Sequence, residues 1–434
     1  MADNLKQILI SYEQQDFKIK MSCLRSIISQ AIFSPLSNEG QTVAKIIVDI
    51  WENKDKAVIK YTEKFDGVKL TPDQLRISTE ELRKAHDEID PDLLKAIRQS
   101  IANVKKYQQE IFTGKSIPGK IKYTPIKRVG ICVPGASAPL PSTVIMTVVP
   151  AQVAGVKEIV VISPPRYNNS IHPVTLAVCH ELGITEIYRI GGVQAVAALA
   201  DGTPTVKAVN MIVGPGNRWV QTAKGMVFGQ VGIDSIAGPS EVLIIADDSA
   251  NPAWVAADML SQTEHAPGSA VLMTDSKKLA DSTLAELEKQ VKQLDRSQET
   301  LDCLIKYSGI VVCSSLDNAI GWANEFATEH LQIQCGQKSK DIAQKIENAG
   351  AIFIGDCSPV AVGDYWAGPS HTLPTGGSAK FSSALTSNDF VKSSSIIEYT
   401  KEMLDKNAED IVRLAMVEGL DAHAKSIQIR QKEN

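Results

Sequence analysis

At 434 residues the chain is too long for one small core, and two or more domains are expected. Its 44% hydrophobic and 22% charged residues are those of an ordinary globular protein, and a net charge of −5 without any Lys/Arg block argues against a nucleic-acid partner. The opening MADNLKQILISYEQQDFKIK is charged throughout, and the weakly polar run from Ser142 to Val156 is short and contains Pro150, so no membrane contact and a cytoplasmic location are expected.

Residues 1–30 read as a short helical arm. Residues 38–113 read as helices with charged outer faces, Val43, Ile46, Ile47 and Ile50 recurring at helical spacing. From Lys127 short apolar runs alternate with helical stretches: Val129 to Val133, Glu158 to Ile162, Glu186 to Ile190 and Met211 to Val213, with helices near 142–155, 172–182, 193–200 and 218–227. The pattern restarts with Val242 to Ala246, Ala270 to Thr274, Gly309 to Val312, Leu331 to Gln334 and Ala351 to Gly355, with helices near 252–265, 277–294, 315–326 and 338–348. Short apolar strands between helices imply parallel βαβ units, so an α/β fold of two consecutive doubly wound halves is expected. After about Phe381 a Ser-rich stretch leads into a helical tail that resembles a segment docking elsewhere. The seven cysteines are scattered and never form a CxxC pair, which argues against a disulfide framework or a Cys-rich zinc site.

Several places can carry chemistry. In the stretch from Ile233 to His265, a turn at Gly238, Pro239 and Ser240 precedes a strand, and Asn251-Pro252 starts a helix. Gln262 and His265 are three apart and share a face at its end, before the stop at 266–268; a solvated helix end reads the same way. Gly-rich turns at 133–139, 190–195 and 214–217 suit phosphate, although plain βα loops fit as well and no GxGxxG follows a strand. Glu329 and His330 offer a carboxylate and a base at a strand's start, where extended backbone sends neighbours to opposite sides unless the turn bends. Asp364 and His371 fall in a loop after a strand, where α/β sheets place their sites. Glu418 and His423 are five apart, about 140° on one helix, and share no face unless the helix breaks near Gly419. Gln262, His265, Asp364 and His423 together make a mixed N/O donor set that zinc tolerates.

The segments IDSIAGPSEVLIIAD…ADMLSQTEH, GPGN at 214–217, ATEHLQIQ, GDYWAGPSHTLPT and EGLDAH resemble the L-histidinol dehydrogenase family from about Glu39 to the end. The resemblance implies an intertwined homodimer whose subunits hold two incomplete Rossmann-like domains. The implied division is an arm at 1–30, a larger α/β domain of 31–131 plus 241–385 with the metal and catalytic residues, a second domain of 132–240 with the cofactor turns, and a tail of 386–434 docking on the partner subunit. It implies oxidation of L-histidinol to L-histidine, the last steps of histidine biosynthesis, in two NAD-linked hydride transfers through bound L-histidinaldehyde. One zinc per subunit would be held by Gln262, His265, Asp364 and, across the interface, His423. These four residues, together with Ser240, His330, His371 and Glu418, would contact substrate, Glu418 also crossing the interface. His330 would take protons and Glu329 would activate water. NAD would contact Gln194, Asn217 and the position of Cys132, where the family usually has Tyr. Another polar alcohol as substrate, a non-catalytic paralogue and a metallohydrolase are the rival readings.

Overall fold

The computed structural model describes residues 5–29, 35–135, 139–265 and 267–432. The middle of the expected turn at 133–139, and Ala266 of the expected helix stop, lie outside the described residues. The chain divides into two compact units, Met1–Thr113 with Pro125–Phe390, and Gly114–Thr124 with Val391–Asn434.

In chain order the elements are β1 (Leu9–Ser11), α1 (Phe17–Ile28), α2 (Asn38–Asp66), α3 (Thr79–Asp87), α4 (Pro91–Glu110), β2 (Ile121–Pro125), β3 (Arg128–Cys132), α5 (Pro141–Ala154), β4 (Glu158–Ile162), α6 (Pro173–Glu181), β5 (Ile187–Tyr188), α7 (Gly192–Asp201), β6 (Met211–Val213), α8 (Arg218–Val227) and β7 (Gly232–Ile233). There follow β8 (Ser240–Ala246), α9 (Pro252–Thr263), β9 (Gly268–Thr274), α10 (Lys277–Gln290), α11 (Ser297–Tyr307), β10 (Gly309–Val312), α12 (Leu316–Phe326), β11 (His330–Gln334), α13 (Ser339–Ala343), β12 (Ala351–Ile354), α14 (Val360–Tyr365), β13 (Val391–Ser395), α15 (Lys401–Val417) and α16 (Asp421–Lys432).

The protein is α/β with parallel sheets. Helix starts follow local chemistry: Ser78 and Glu81 form a capping box on α3, Asp90 precedes Pro91 at the start of α4, and Asn251 caps α9 through Ala253 N. A five-stranded sheet runs β5-β4-β3-β6-β7 and a six-stranded sheet runs β1-β10-β9-β8-β11-β12, with all pairings parallel. Helices cover both faces of the six-stranded sheet: α9, α10 and α11 pack into one cluster, and α1, α12 and α13 into another. That is why the inner strands β8, β9 and β10 read as continuous apolar runs. At the edge, β12 alternates instead, exposing Ile352 and Ile354.

Two departures from expectation stand out. The N-terminal arm is not purely helical, because Leu9–Ser11 extends the six-stranded sheet beside β10. The helices of residues 38–110 pack on the five-stranded sheet and its helices, not on the half expected to carry the metal. Val43, Ile46, Ile47 and Ile50 of α2 bury against Val193, Ala197 and Val220 of α7 and α8, and α3 and α4 pack on α6 and α5. Burying each such aliphatic contributes about 1.5–3 kcal/mol, so this face ties α2 firmly to that sheet.

In the second unit β2 pairs with β13, and α15 and α16 form a helical hairpin. Thr400 caps α15 through Met403 N, and Gly419, with φ 72, ends it.

Candidate active site

The centre of the site is a pair of neighbouring strands. The register of β8 and β11 sets His330 opposite Val242, and so Glu329 opposite Glu241. These two glutamates brace each other. Glu241 N donates to Glu329 Oε2 at 2.9 Å, and Glu329 N donates to Glu241 Oε1 at 3.1 Å; Gly376 N adds a third bond to Glu241 Oε1 at 3.0 Å. The chain enters β11 through Ala327 in the left-handed region, φ 51, so Glu329 precedes the regular strand. Its carboxylate therefore meets the next side chain, Glu329 Oε2 lying 3.4 Å from His330 Nδ1.

His330 Nδ1 lies 3.1 Å from the carbonyl oxygen of Glu241. A carbonyl only accepts, so in the neutral ring Nδ1 carries the hydrogen and Nε2 the lone pair. Nε2 is buried without a hydrogen-bond partner and sits 3.8 Å from Asp364 Oδ1, an ion-pair distance. Burial opposes a charged His330 ring, but Glu329 and Asp364 outweigh it and lift the imidazole to about 10.

Glu241 did not stand out in the sequence, where it reads as one more residue of an apolar strand. Burial, aided by the Glu329 charge, pushes its carboxyl from an ordinary 4.5 up to about 8, against the pull of the two N–H donors. Between about pH 4.5 and 8 the folded chain thus holds a proton that the unfolded chain has released, and stability falls as pH rises through that window. Glu241→Gln keeps an acceptor for both N–H groups and removes this titration. Urea unfolding midpoints should therefore favour the variant progressively more from about pH 5 to about pH 8; parallel profiles would show that Glu241 stays ionised in the fold.

Asp364 sits on a short helical turn, α14, and not in open loop as the sequence suggests; His371 follows it. The segment is hung from two helices: Ser100 Oγ and Asn103 Nδ2 of α4 donate to the carbonyls of Tyr365 and Trp366 at 2.7 and 2.9 Å, and Ser370 Oγ donates to Met146 O of α5 at 3.0 Å. Burial raises the Asp364 carboxyl, but His330, His371 and His265 hold it below the usual carboxylate range. Burial keeps His371 below its ordinary value despite the nearby Asp364 and Glu329.

Gln262 is buried in the last turn of α9, and the chain folds straight back over it at Gly268, where a Cβ would overlap the Gln262 carbonyl. His265 is exposed and lies just past the helix end at Thr263, where a bond from His265 N to Gln262 O at 3.5 Å continues the turn between the two. Ser240 opens β8 beside the brace. Among the described residues no group of three His, Cys, Asp or Glu side chains is arranged to hold a metal.

Glu418 and His423 belong to the second unit, where both are exposed. Glu418 ends α15, Gly419 breaks the helix, and His423 lies in α16, so the 140° separation of a continuous helix does not apply.

The three cofactor positions line one cavity of about 430 Å³ at the carboxyl ends of β3, β4 and β6, together with Asp66, Gly135, Arg166, Gly192 and Gly216. Cys132 ends β3, and burial pushes its thiol up to about 12. Gln194 is buried, and both its Oε1 and Nε2 lack partners. The Asn217 side-chain oxygen is already engaged, accepting from Trp219 N and Val220 N as the cap of α8. Gly214, with φ 107, lies so close to the Cys132 carbonyl that no Cβ fits there.

The family model for histidinol dehydrogenase matches residues 35–431. The chain belongs to the histidinol dehydrogenase family. It is 46% identical to the histidinol dehydrogenase of Rhodopirellula baltica over 406 residues, 92% of this chain and 88% of that one. It is 44% identical to that of Geobacillus kaustophilus over 409 residues, 92% of this chain and 96% of that one. The crystal structure of histidinol dehydrogenase from Elizabethkingia anophelis superposes with a TM-score of 0.88 at 34% identity, covering 98% of both chains. Among the described residues no helix is long and apolar enough to cross a membrane.

Proposed function

We propose that the protein oxidises L-histidinol to L-histidine in two successive NAD-linked steps, through an L-histidinaldehyde that stays bound. The observation that carries this reading is His330: one ring nitrogen is fixed on the Glu241 carbonyl and the other is buried, unpartnered and turned toward Asp364. Such a nitrogen is placed to take a proton at a fixed point. Two NAD per histidinol, when bound in turn, would supply the hydride acceptors, and in the first step His330 Nε2 takes the alcohol proton. Glu329 then takes a proton from the water that attacks the aldehyde. His330 returns its first proton to the aldehyde oxygen as the water adds, and is then free to take the hydrate's proton in the second oxidation.

Two groups are implied beyond the polypeptide, and the residues present fit both. Gln262, His265 and Asp364 offer an amide oxygen, an imidazole and a carboxylate, donors that zinc accepts, and a fourth position remains for His423 of the partner subunit. Bound zinc supplies a template that orients the substrate's nitrogens. Any cation that takes up the Asp364 charge also lets His330 lose its proton nearer neutrality, as a base requires. For NAD, the fit rests on the unpartnered amide of Gln194 inside a glycine-lined cavity.

The same reading takes the protein as a cytoplasmic homodimer. Glu418 and His423 cross to the neighbouring subunit, and Ser240 and His371 contact substrate. The two sheets act as Rossmann-like layers, one for cofactor and one for chemistry; the packing of residues 38–110 argues for counting them with the cofactor layer. The test is direct. Purified protein with zinc should yield histidine and two NADH per histidinol, and should lose this activity on chelation and regain it with zinc. Release of free aldehyde as the main product, or full activity after complete metal removal, overturns the reading.

A further inference from the structure

We propose that Asp66 reads the ribose diol on the adenosine side of the dinucleotide and so selects NAD against its 2′-phosphorylated form. The proposal rests on reading the cavity as the NAD site, and names what that site uses to discriminate.

Asp66 closes α2, and its side chain is only 3% exposed. It lines the cavity. Oδ1 accepts from Arg166 Nε at 2.8 Å, whereas Oδ2 is buried with no partner. A buried carboxylate oxygen without a donor is costly, and a pair of hydroxyl groups satisfies it.

Topology says which hydroxyls. The strand order β5-β4-β3-β6-β7 reverses direction between β3 and β6, so the crevice for pyrophosphate lies at the ends of those strands, where Gly135, Gly214 and Gly216 fall. In doubly wound sheets the acidic residue that binds the adenosine ribose stands at the end of the next strand outward. Here that strand is β4, and the segment after it carries Pro164 and Arg166. No acid follows β4 in sequence; Arg166 instead pins the Asp66 carboxylate there, and its Nη2 also reaches Phe65 O at 3.4 Å. The chain thus supplies the expected carboxylate from a helix end about a hundred residues upstream.

A 2′-phosphate at this point would set a dianion against a carboxylate largely removed from water, so the pocket discriminates by repulsion as well as by a lost hydrogen bond. Removing the carboxylate also frees the Arg166 guanidinium, a good phosphate ligand.

The test is equilibrium binding of NADH and NADPH to the full chain, read by nicotinamide fluorescence. The native protein should bind NADH tighter than NADPH by roughly 10–100-fold, the range of a hydrogen bond to a charged group. Asp66→Ser should weaken NADH and strengthen NADPH, closing that gap. Asp66→Asn, which keeps the shape, should give an intermediate ratio and serves if the Ser variant does not fold. An unchanged ratio in a folded variant that still binds NADH overturns the role of Asp66 and leaves the NAD pocket standing. No binding of either dinucleotide to the native protein overturns the pocket reading, and this proposal with it.

Discussion

With His330 as the proposed base, its replacement by Asn should lower turnover of histidinol by about 10²–10⁴-fold, the usual worth of a positioned general base, while the content of the proposed zinc and the affinity for NADH should stay at native levels. Asn retains a donor for the Glu241 carbonyl and removes only the nitrogen at the Nε2 position, so the variant separates proton transfer from folding. His330 is 3% exposed, but its neighbours are held by bonds that do not depend on it: the Glu241–Glu329 brace is built from backbone N–H groups and carboxylates. Metal analysis by emission spectroscopy alongside steady-state rates decides the matter. Equal loss of zinc and activity would reassign His330 to the structural support of the metal ligands.

Lys224→Ala should destabilise the protein by about 3–5 kcal/mol, the cost of leaving one member of a buried ion pair alone. Lys224 is fully buried in α8. Its Nζ donates to Asp234 Oδ1 and to Gly214 O, and Asp234 Oδ2 accepts from Gly214 N at 2.7 Å. Both polar groups of Gly214, in the turn that lines the cavity beside Cys132, are thus held by one pair of charges. Without the ammonium, the buried Asp234 carboxyl loses its partner and the turn loses an anchor, so NADH affinity should fall along with the urea midpoint. The double variant Lys224→Met with Asp234→Asn should recover part of the stability, because no buried charge is then left unpaired. A double variant as unstable as the sum of its singles would show that the two residues act independently.

Most strands and helices from Lys127 onward are legible because apolar runs are bounded by Gly, Pro or a cap and burial on both faces makes them continuous; α11 and the two-residue β7 are not among those expected. Leu9–Ser11 escapes the same reading: three residues in a charged segment carry no periodicity, and only the open edge of β10 makes them a strand. Glu241 escapes it because a carboxylate in an apolar strand looks like an interruption until the register puts it opposite Glu329. Asp66 is hidden by distance, since its partner Arg166 lies far along the chain. The helix carrying Gln262 stops at Thr263, two residues before His265, so the sequence places its terminus slightly late. The rule for five residues on a helix fails at Glu418 and His423 because Gly419 turns left-handed between them.

The suspension of the Asp364–His371 segment from α4 and α5 has an evolutionary consequence. Glu329 and His330 stand at the start of one strand and are bonded to Glu241 of its neighbour, so their geometry is inherited with the sheet and tolerates little drift. The residues opposite them hang by three side-chain bonds from helices that pack around the other sheet. Changes in Ser100, Asn103 or Ser370 can re-aim that segment without touching the strands. A descendant enzyme could therefore acquire a new alcohol by altering these tethers while keeping its proton chemistry intact, and a search for such divergence belongs on α4 before it belongs on the residues that touch the substrate.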